Sequence, residues 1–224
     1  MFGVCDLESI ERDDAMTSTA SPNSSPLTPH ASLALANGWC QGARQVISPN
    51  FSPRPAGVAI DLVVIHNISL PPGEFGSDHV ERLFTNTIDP HAAPGYADLA
   101  TLRVSAHFFI RRDGELVQFV STHESAAHAG RSRWAGRERC NDFSIGIELE
   151  GTDHMPFEAA QYETLLNLLQ ALAVAHPLRA IVGHNDIAPE RKTDPGPFFD
   201  WSQVYAALPQ LKPEISLWDK PAAL

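Results

Sequence analysis

The stretch VAIDLVVIH at residues 58–66 constrains the chain more than any other. It is β-branched and almost continuously apolar, so it reads as a strand covered on both faces, the kind a helix-flanked sheet buries. A second run, FSIGIEL at 143–149, alternates so that Ile145, Ile147 and Leu149 face one way and Ser144, Gly146 and Glu148 the other. Apolar runs at 104–110 and 115–120 flank Arg112-Asp113-Gly114, a turn signal for a hairpin. Helix patterns fill the gaps. Residues 77–88 open on a capping Ser77, with Asp78 in the first turn and Val80, Leu83 and Phe84 on one stripe. Residues 156–176 start at Pro156, carry Leu165, Leu166, Leu168, Leu169 and Leu172, and stop at His176-Pro177. A last helix is predicted over 200–208 with Asp200 as its N-cap, and residues 180–183 form a short strand running straight into His184. Strands interleaved with helices and one hairpin predict a mixed α/β domain, a central, mostly mixed β-sheet with flanking helices.

The N-terminal stretch is of another kind. Residues 15–30, AMTSTASPNSSPLTPH, offer almost nothing to bury, so ordering them costs backbone entropy without hydrophobic return. Residues 1–36 are read as a flexible extension and 37–224 as the single domain. A net charge of −11 lacks the footprint for nucleic acid or an anionic membrane, so neither is expected as a partner. No apolar run approaches the ~20 residues of a membrane helix. The first residues have neither a basic start nor an apolar core, which makes cytoplasmic residence the expectation. Three scattered cysteines, Cys5, Cys40 and Cys140, fit a reducing compartment and read as small apolar residues.

Three residues point to metal chemistry. His66 ends one buried strand, His184 ends another, and Asp194 lies in the polar loop NDIAPERKTDPGP. Strand carboxyl ends are where α/β sheets place ligands. Two imidazoles and a carboxylate suit zinc and leave a fourth position open for chemistry. Spacing alone also allows each to be a strand-end or turn residue, given ten histidines in the chain. Glu148 shares a strand face with Gly146, and a carboxylate on a central strand is costly to bury without a purpose, so it is a candidate base. Glu150, nearer the Gly151 turn and expected to be more exposed, is its rival. Lys192 precedes Asp194 by two residues and can bring an ammonium to a developing oxyanion. Arg191 is read as a solvated loop charge, and arginines 103, 111, 112, 131, 133, 137 and 139 mostly as surface charges, some of which can bind an anionic group. His107 reads as a satisfied core histidine. His128, set between alanines, can line a cleft.

The stretches VVIHNISLPPGEFG (63–76), LRVSAHFFIRRDGELVQFV (102–120), HAGRSRWAGRERCNDFSIGIELEGTD (128–153) and GHNDIAPERKTDPGPFFDW (183–201) resemble the AmpD-type 1,6-anhydro-N-acetylmuramyl-L-alanine amidases, zinc enzymes of peptidoglycan recycling with a peptidoglycan-recognition-like fold. The resemblance covers residues 38 to about 208. It implies zinc on His66, His184 and Asp194, Glu148 as general base and Lys192 as transition-state stabiliser. It further implies that Asn67, Arg103 and Arg139, beside His128, contact the anhydromuropeptide substrate. The reaction implied is hydrolysis of the amide between the muramyl lactyl group and L-Ala, by a cytoplasmic monomer. Two competing readings are a non-hydrolytic peptidoglycan-binding module, which the intact His-His-Asp set disfavours, and an envelope amidase acting on polymeric peptidoglycan. Two positions depart from the pattern. Ala127 stands where a large aromatic is expected and Trp134 where Tyr is common, so the cleft wall is expected to be reshaped.

Overall fold

The computed structural model describes residues 33–211 and 216–217. The expectations for residues 1–32, and for Cys5, lie outside the described residues. Ala34–Ala36 pairs antiparallel with Trp39–Gln41, so regular structure begins within the stretch read as an extension.

Seven strands make the main sheet: β1 (Arg44–Gln45), β2 (Leu62–Ile68), β3 (Phe108–Ile110), β4 (Leu116–Gln118), β5 (Ser144–Glu150), β6 (Ala180–Gly183) and β7 (Ser216–Leu217). Their spatial order is β7-β6-β2-β5-β3-β4-β1. Neighbours run parallel except in the β3/β4 hairpin, whose turn holds Asp113-Gly114, so the sheet is mixed as expected. β2 starts four residues later than the apolar pattern. Asp61 stands just ahead of it, buried, with both carboxylate oxygens accepting from Arg137 Nη2 (2.9 and 3.1 Å).

Among the described residues five α-helices flank the sheet: α1 (His79–Phe84), α2 (Tyr96–Leu99), α3 (Ala159–Ala175), α4 (His184–Ile187) and α5 (Trp201–Leu211). Period-2 alternation sends Val63, Ile65, Ile145, Ile147 and Leu149 to one face, where Leu165, Leu168, Leu169 and Leu172 of α3 and Val204 of α5 cover them. α3 begins after Glu158, whose backbone N–H donates to Gln161 Oε1 (3.0 Å), a capping box that fixes the start. The Gln161 amide is itself buried and donates to the Ile110 and Glu150 carbonyls, tying α3 to β3 and β5. Asp200 caps α5 as predicted, with Oδ1 accepting the Ser202 amide (3.0 Å).

The opposite face is where the sheet becomes polar. Leu62 and Val64 pack there with Val182, Cys140, Phe143 and Ile187, and nearer the hairpin Phe109, Val117 and Phe119 pack with Val80, Leu83 and Phe84 of α1. Beyond Val64 on that face the next residue of β2 is His66. It pairs in register with Glu148 of β5, while β6 runs alongside and ends at Gly183, immediately before His184. The register thus brings two imidazoles and a carboxylate to one sheet end. Cys40 and Cys140 are buried free thiols, matching their reading as small apolar residues.

Candidate metal centre

His66 Nδ1 lies 2.9 Å from His184 Nδ1 and 3.0 Å from Asp194 Oδ2, and His184 Nδ1 is also 3.0 Å from Asp194 Oδ2. Three donor atoms from distant parts of the chain therefore meet at one point, and they are a group that could hold a metal ion. Zinc ligands at about 2.0–2.1 Å stand about 3.3 Å apart in a tetrahedron, so this trio sits a few tenths of an ångström closer than the ion would hold it. The outer nitrogens show why it fits a cation. His184 Nε2 lies 3.2 Å from the Ala129 carbonyl, an acceptor only, so Nε2 carries the hydrogen and Nδ1 presents a lone pair inward. His66 Nε2 lies 3.0 Å from His128 Nδ1, which can accept the same way. With both outer nitrogens donating, two lone pairs and a carboxylate point at one another. That arrangement is repulsive unless a cation sits among them.

The electrostatics agree. Burial drives His66 down to about 4, so it stays neutral and able to ligate at neutral pH. Burial pushes Asp194 up, but the two imidazoles packed against it, His184 and His66, outweigh that and hold its carboxyl well below the usual range. Glu148 lies in the same cavity of about 290 Å³, together with His128, Lys192 and the three donors. Its carboxyl is raised well above the ordinary value, by burial and then by the Asp194 charge, while Lys192 opposes the rise. Its Oε2 is buried and meets no hydrogen-bond partner among the described residues. A buried carboxylate left open in a cavity is suited to taking a proton from something bound there.

Glu150 proves to be the opposite of exposed. It is 3 % accessible against 9 % for Glu148, and its two oxygens accept the Gly76 and Arg112 amides (2.7 and 3.0 Å). Loops from α1's approach and from the hairpin turn fold over it, so it ties the sheet end and lies outside the cavity that holds Glu148.

His128 lines the cavity and packs into the space Gly146 leaves. A Cβ on Gly146 would lie 2.4 Å from the His128 ring. Its Nδ1 faces His66 and its Nε2 faces Ser144 Oγ (3.1 Å), so both nitrogens are engaged with protein. Asn67 lines the cavity too and donates to Asp153 Oδ1 (2.7 Å) in an adjoining open groove shared by Lys192, Thr193 and Asp194. Arg103 and Arg139 do not line that cavity. Arg103 is exposed and donates to the Ala100 and Leu102 carbonyls, although its neighbours Leu102 and Val104 form part of the wall. Arg139 pairs with Asp142 and borders a separate pocket of about 380 Å³ with Arg131, Arg133 and Arg191. Ala127 is in the cavity wall, as the departure at that position predicts, but Trp134 is not. It is buried in the apolar cluster beside Phe143 and Cys140, with the Arg137 guanidinium 5.2 Å over its ring.

Arg191 is bound to the backbone, donating from Nη2 to the carbonyls of Ala129 and Arg131 (both 2.9 Å). The sequence offered no periodicity to reveal that. Arg111, Arg112 and Arg137 are half-buried and held in ion pairs with Glu81, Glu158 and Asp61, so they are tied into the fold where surface charges were expected.

His107 is a satisfied core histidine. Its Nδ1 accepts the Gly146 amide (3.0 Å) and its Nε2 donates to the Glu124 carbonyl (3.0 Å). Burial, then the Arg54 guanidinium beside it, drives its pKa down to about 3. The unfolded chain takes up this proton near pH 6.5 and the folded chain does not, so between those limits the unfolded state binds more protons and stability rises with pH. The contribution is whole above pH 6.5 and is lost as pH falls toward 3. Denaturant unfolding from pH 7 to 4 is expected to show stability falling on acidification. His107→Gln should fall less steeply, by up to about 1.4 kcal/mol per pH unit. Equal slopes would show that His107 titrates alike in both states.

Residues 56–197 match the family model described as N-acetylmuramoyl-L-alanine amidase. The chain is 57 % identical over 178 residues to the 1,6-anhydro-N-acetylmuramyl-L-alanine amidase AmpD of Enterobacter cloacae, covering 79 % of this chain and 95 % of that protein. A crystal structure of a selenomethionine derivative of AmpD superposes with a TM-score of 0.76 at 55 % identity, over 77 % of this chain and 98 % of the other. The Escherichia coli amidase AmiD, solved in complex with anhydro-N-acetylmuramic acid-L-Ala-D-γ-Glu-L-Lys, is similar at a TM-score of 0.51 and 27 % identity, over 85 % of this chain and 68 % of that one.

Proposed function

The chain belongs to the N-acetylmuramoyl-L-alanine amidase family, and on that premise we propose that it hydrolyses the amide between the lactyl group of 1,6-anhydro-N-acetylmuramic acid and L-Ala of the stem peptide, as a zinc enzyme of peptidoglycan recycling. The observation that carries this reading is the meeting of His66 Nδ1, His184 Nδ1 and Asp194 Oδ2 in one cavity with Glu148, whose buried Oε2 meets no hydrogen-bond partner among the described residues.

These three residues would hold the ion, which when bound supplies Lewis acidity for the scissile carbonyl and lowers the pKa of an attacking water. Glu148 takes the proton from the water as it attacks and returns it to the amide nitrogen, so that the peptide leaves as an amine. The raised affinity of Glu148 for a proton serves both transfers. Lys192, in the same cavity wall, places its ammonium toward the oxyanion that develops on the carbonyl. The cavity has a mainly apolar side, formed by Leu70, Leu83, Phe84, Leu99, Leu102 and Val104, and it adjoins the open polar groove containing Asn67. An amide lying across the donors would have room for one half of the substrate on each side. Arg103 and Arg139, outside the cavity, would reach only the outer parts of a bound muropeptide.

Cytoplasmic residence and action as a monomer without nucleic acid or membrane belong to the same proposal. Buried free thiols at Cys40 and Cys140 suit a reducing compartment. Among the described residues no helix is long and apolar enough to cross a membrane.

Mass analysis of the products from a mixture of anhydromuropeptides and polymeric peptidoglycan, with and without a chelator, tests the reading. Free stem peptide and anhydro sugar are expected from the small substrates, and their disappearance with chelator should be reversed by zinc. Binding without cleavage at stoichiometric zinc would make the protein a recognition module, and preferential release of peptide from polymer would make it an envelope-type enzyme.

A further inference from the structure

Both imidazoles of the candidate metal centre take their outer hydrogen-bond partner from one dipeptide. His66 Nε2 faces the side chain of His128 (3.0 Å), and His184 Nε2 faces the backbone carbonyl of the next residue, Ala129 (3.2 Å). The dipeptide lies in the irregular stretch between the strand Glu124–Ala126 and the short hairpin strand Arg133–Trp134, so no sheet ladder fixes its direction. A single side chain does much of that work. Asn141 Oδ1 accepts the Ala129 amide at 2.8 Å and shares the His128 amide at 3.3 Å with the Ala126 carbonyl. Asn141 is itself anchored, because its own carbonyl accepts from Arg54 Nη1 and from Ser125 Oγ (both 2.9 Å). It touches none of the three donors and does not line their cavity.

We infer that Asn141 is a positioning residue for the metal, acting through the His128–Ala129 dipeptide to orient both imidazole ligands at once. The inference rests on the metal reading above and adds to it a residue that no spacing or charge pattern marks. The physical argument is one of shared rigidity. A ligand histidine needs its outer N–H held to keep the inner lone pair aimed, and loss of such a partner typically costs 10–100-fold in metal affinity. Here one amide oxygen holds the backbone that carries both partners. Two further contacts stiffen it: Ser144 Oγ on His128 Nε2 (3.1 Å) and Arg191 Nη2 on the Ala129 carbonyl (2.9 Å). Neither restrains the two backbone amides, so neither replaces Asn141.

The test uses the full chain. Zinc affinity is measured by competition with a chromogenic chelator, coordination by the visible spectrum of the cobalt-substituted protein, and fold by thermal unfolding of the metal-free protein. N141L is expected to weaken zinc by about tenfold or more and to alter the cobalt bands. N141D keeps an oxygen where the two amides need it and is expected to stay within about threefold of wild type. Wild-type affinity and spectrum in a folded N141L would overturn the inference, as would a folded N141D that behaves like N141L. Should N141L fail to fold, H128L and H128N test the same support, since Asn keeps an acceptor near the Nδ1 position. H128L is expected to lose affinity about tenfold and H128N to recover most of it, and equal affinities in both would overturn the inference. A wild-type chain that binds no zinc would sink the metal reading itself, a result distinct from wild-type binding that Asn141 does not influence.

Discussion

Replacing His184 with alanine is expected to remove stoichiometric zinc and, with it, measurable amidase turnover. The substitution leaves His66 Nδ1 and Asp194 Oδ2, two donors 3.0 Å apart, where three had converged. Tight zinc sites in proteins are worth on the order of 10–16 kcal/mol in all, so the loss of one ligand among three amounts to several kcal/mol and a fall in affinity of about 10³-fold. The fold itself should survive. His184 opens the four-residue α4, whose closing amide at Ala188 bonds to the backbone carbonyl of residue 184, and that bond is independent of the side chain. The Ala129 carbonyl loses the His184 donor but keeps Arg191. Metal analysis after dialysis and an assay on an anhydromuramyl-peptide check the prediction together. Full turnover in His184→Ala with wild-type metal content would mean that the three donors meet for some other reason, and the zinc assignment would fall.

Much of this centre was legible in the sequence because strands impose strict geometry. Period-2 alternation in FSIGIEL puts Ser144, Gly146 and Glu148 on one face, and the structure places all three on the side where His128 lies. The β-branched run ending at His66 and the short strand ending at His184 mark sheet ends, and only the strand order was needed to bring them together. What escaped was carried by irregular backbone. The position of Glu150 beside a turn predicts exposure, but its burial depends on loops from residues 76 and 112 closing over it. Arg191 had the look of a solvated charge because nothing local reveals that residues 129 and 131 pass beside it. Arg103 and Arg139 lie in segments whose course no periodicity fixes, and both point away from the cavity's lining. The family pattern predicts Trp134 in the cleft wall, and it packs instead into the apolar cluster at Phe143. In each case a side chain's neighbour was set by loop geometry, which depends on long-range contacts more than on local pattern.

Glu148→Gln separates base chemistry from metal binding. Glutamine has nearly the same volume and cannot take up a proton, and Glu148 is not among the three donor residues, so zinc content should stay at the wild-type level. If the carboxylate is the base, kcat should fall by about 10²-fold or more with little change in KM, because the loss acts on proton transfer and leaves ground-state contacts in place. Stability gives an independent sign. The wild-type residue pays for burial with a carboxyl raised well above its ordinary value and an oxygen that meets no partner, so a neutral amide there should leave the metal-free protein as stable as wild type or more so. Glu150→Gln should do the reverse. Its two oxygens accept backbone amides from Gly76 and Arg112, and an NH2 group facing one of those donors would cost about 1–3 kcal/mol of stability while sparing the chemistry of any enzyme that remains folded. Parallel denaturant curves and single-turnover kinetics on the two variants distinguish them. Near-wild-type kcat in a zinc-loaded Glu148→Gln variant would strip Glu148 of the proton-transfer role. Lys192 would then be the next cavity residue to examine, since it lines the same space and Glu150 is already committed to the backbone.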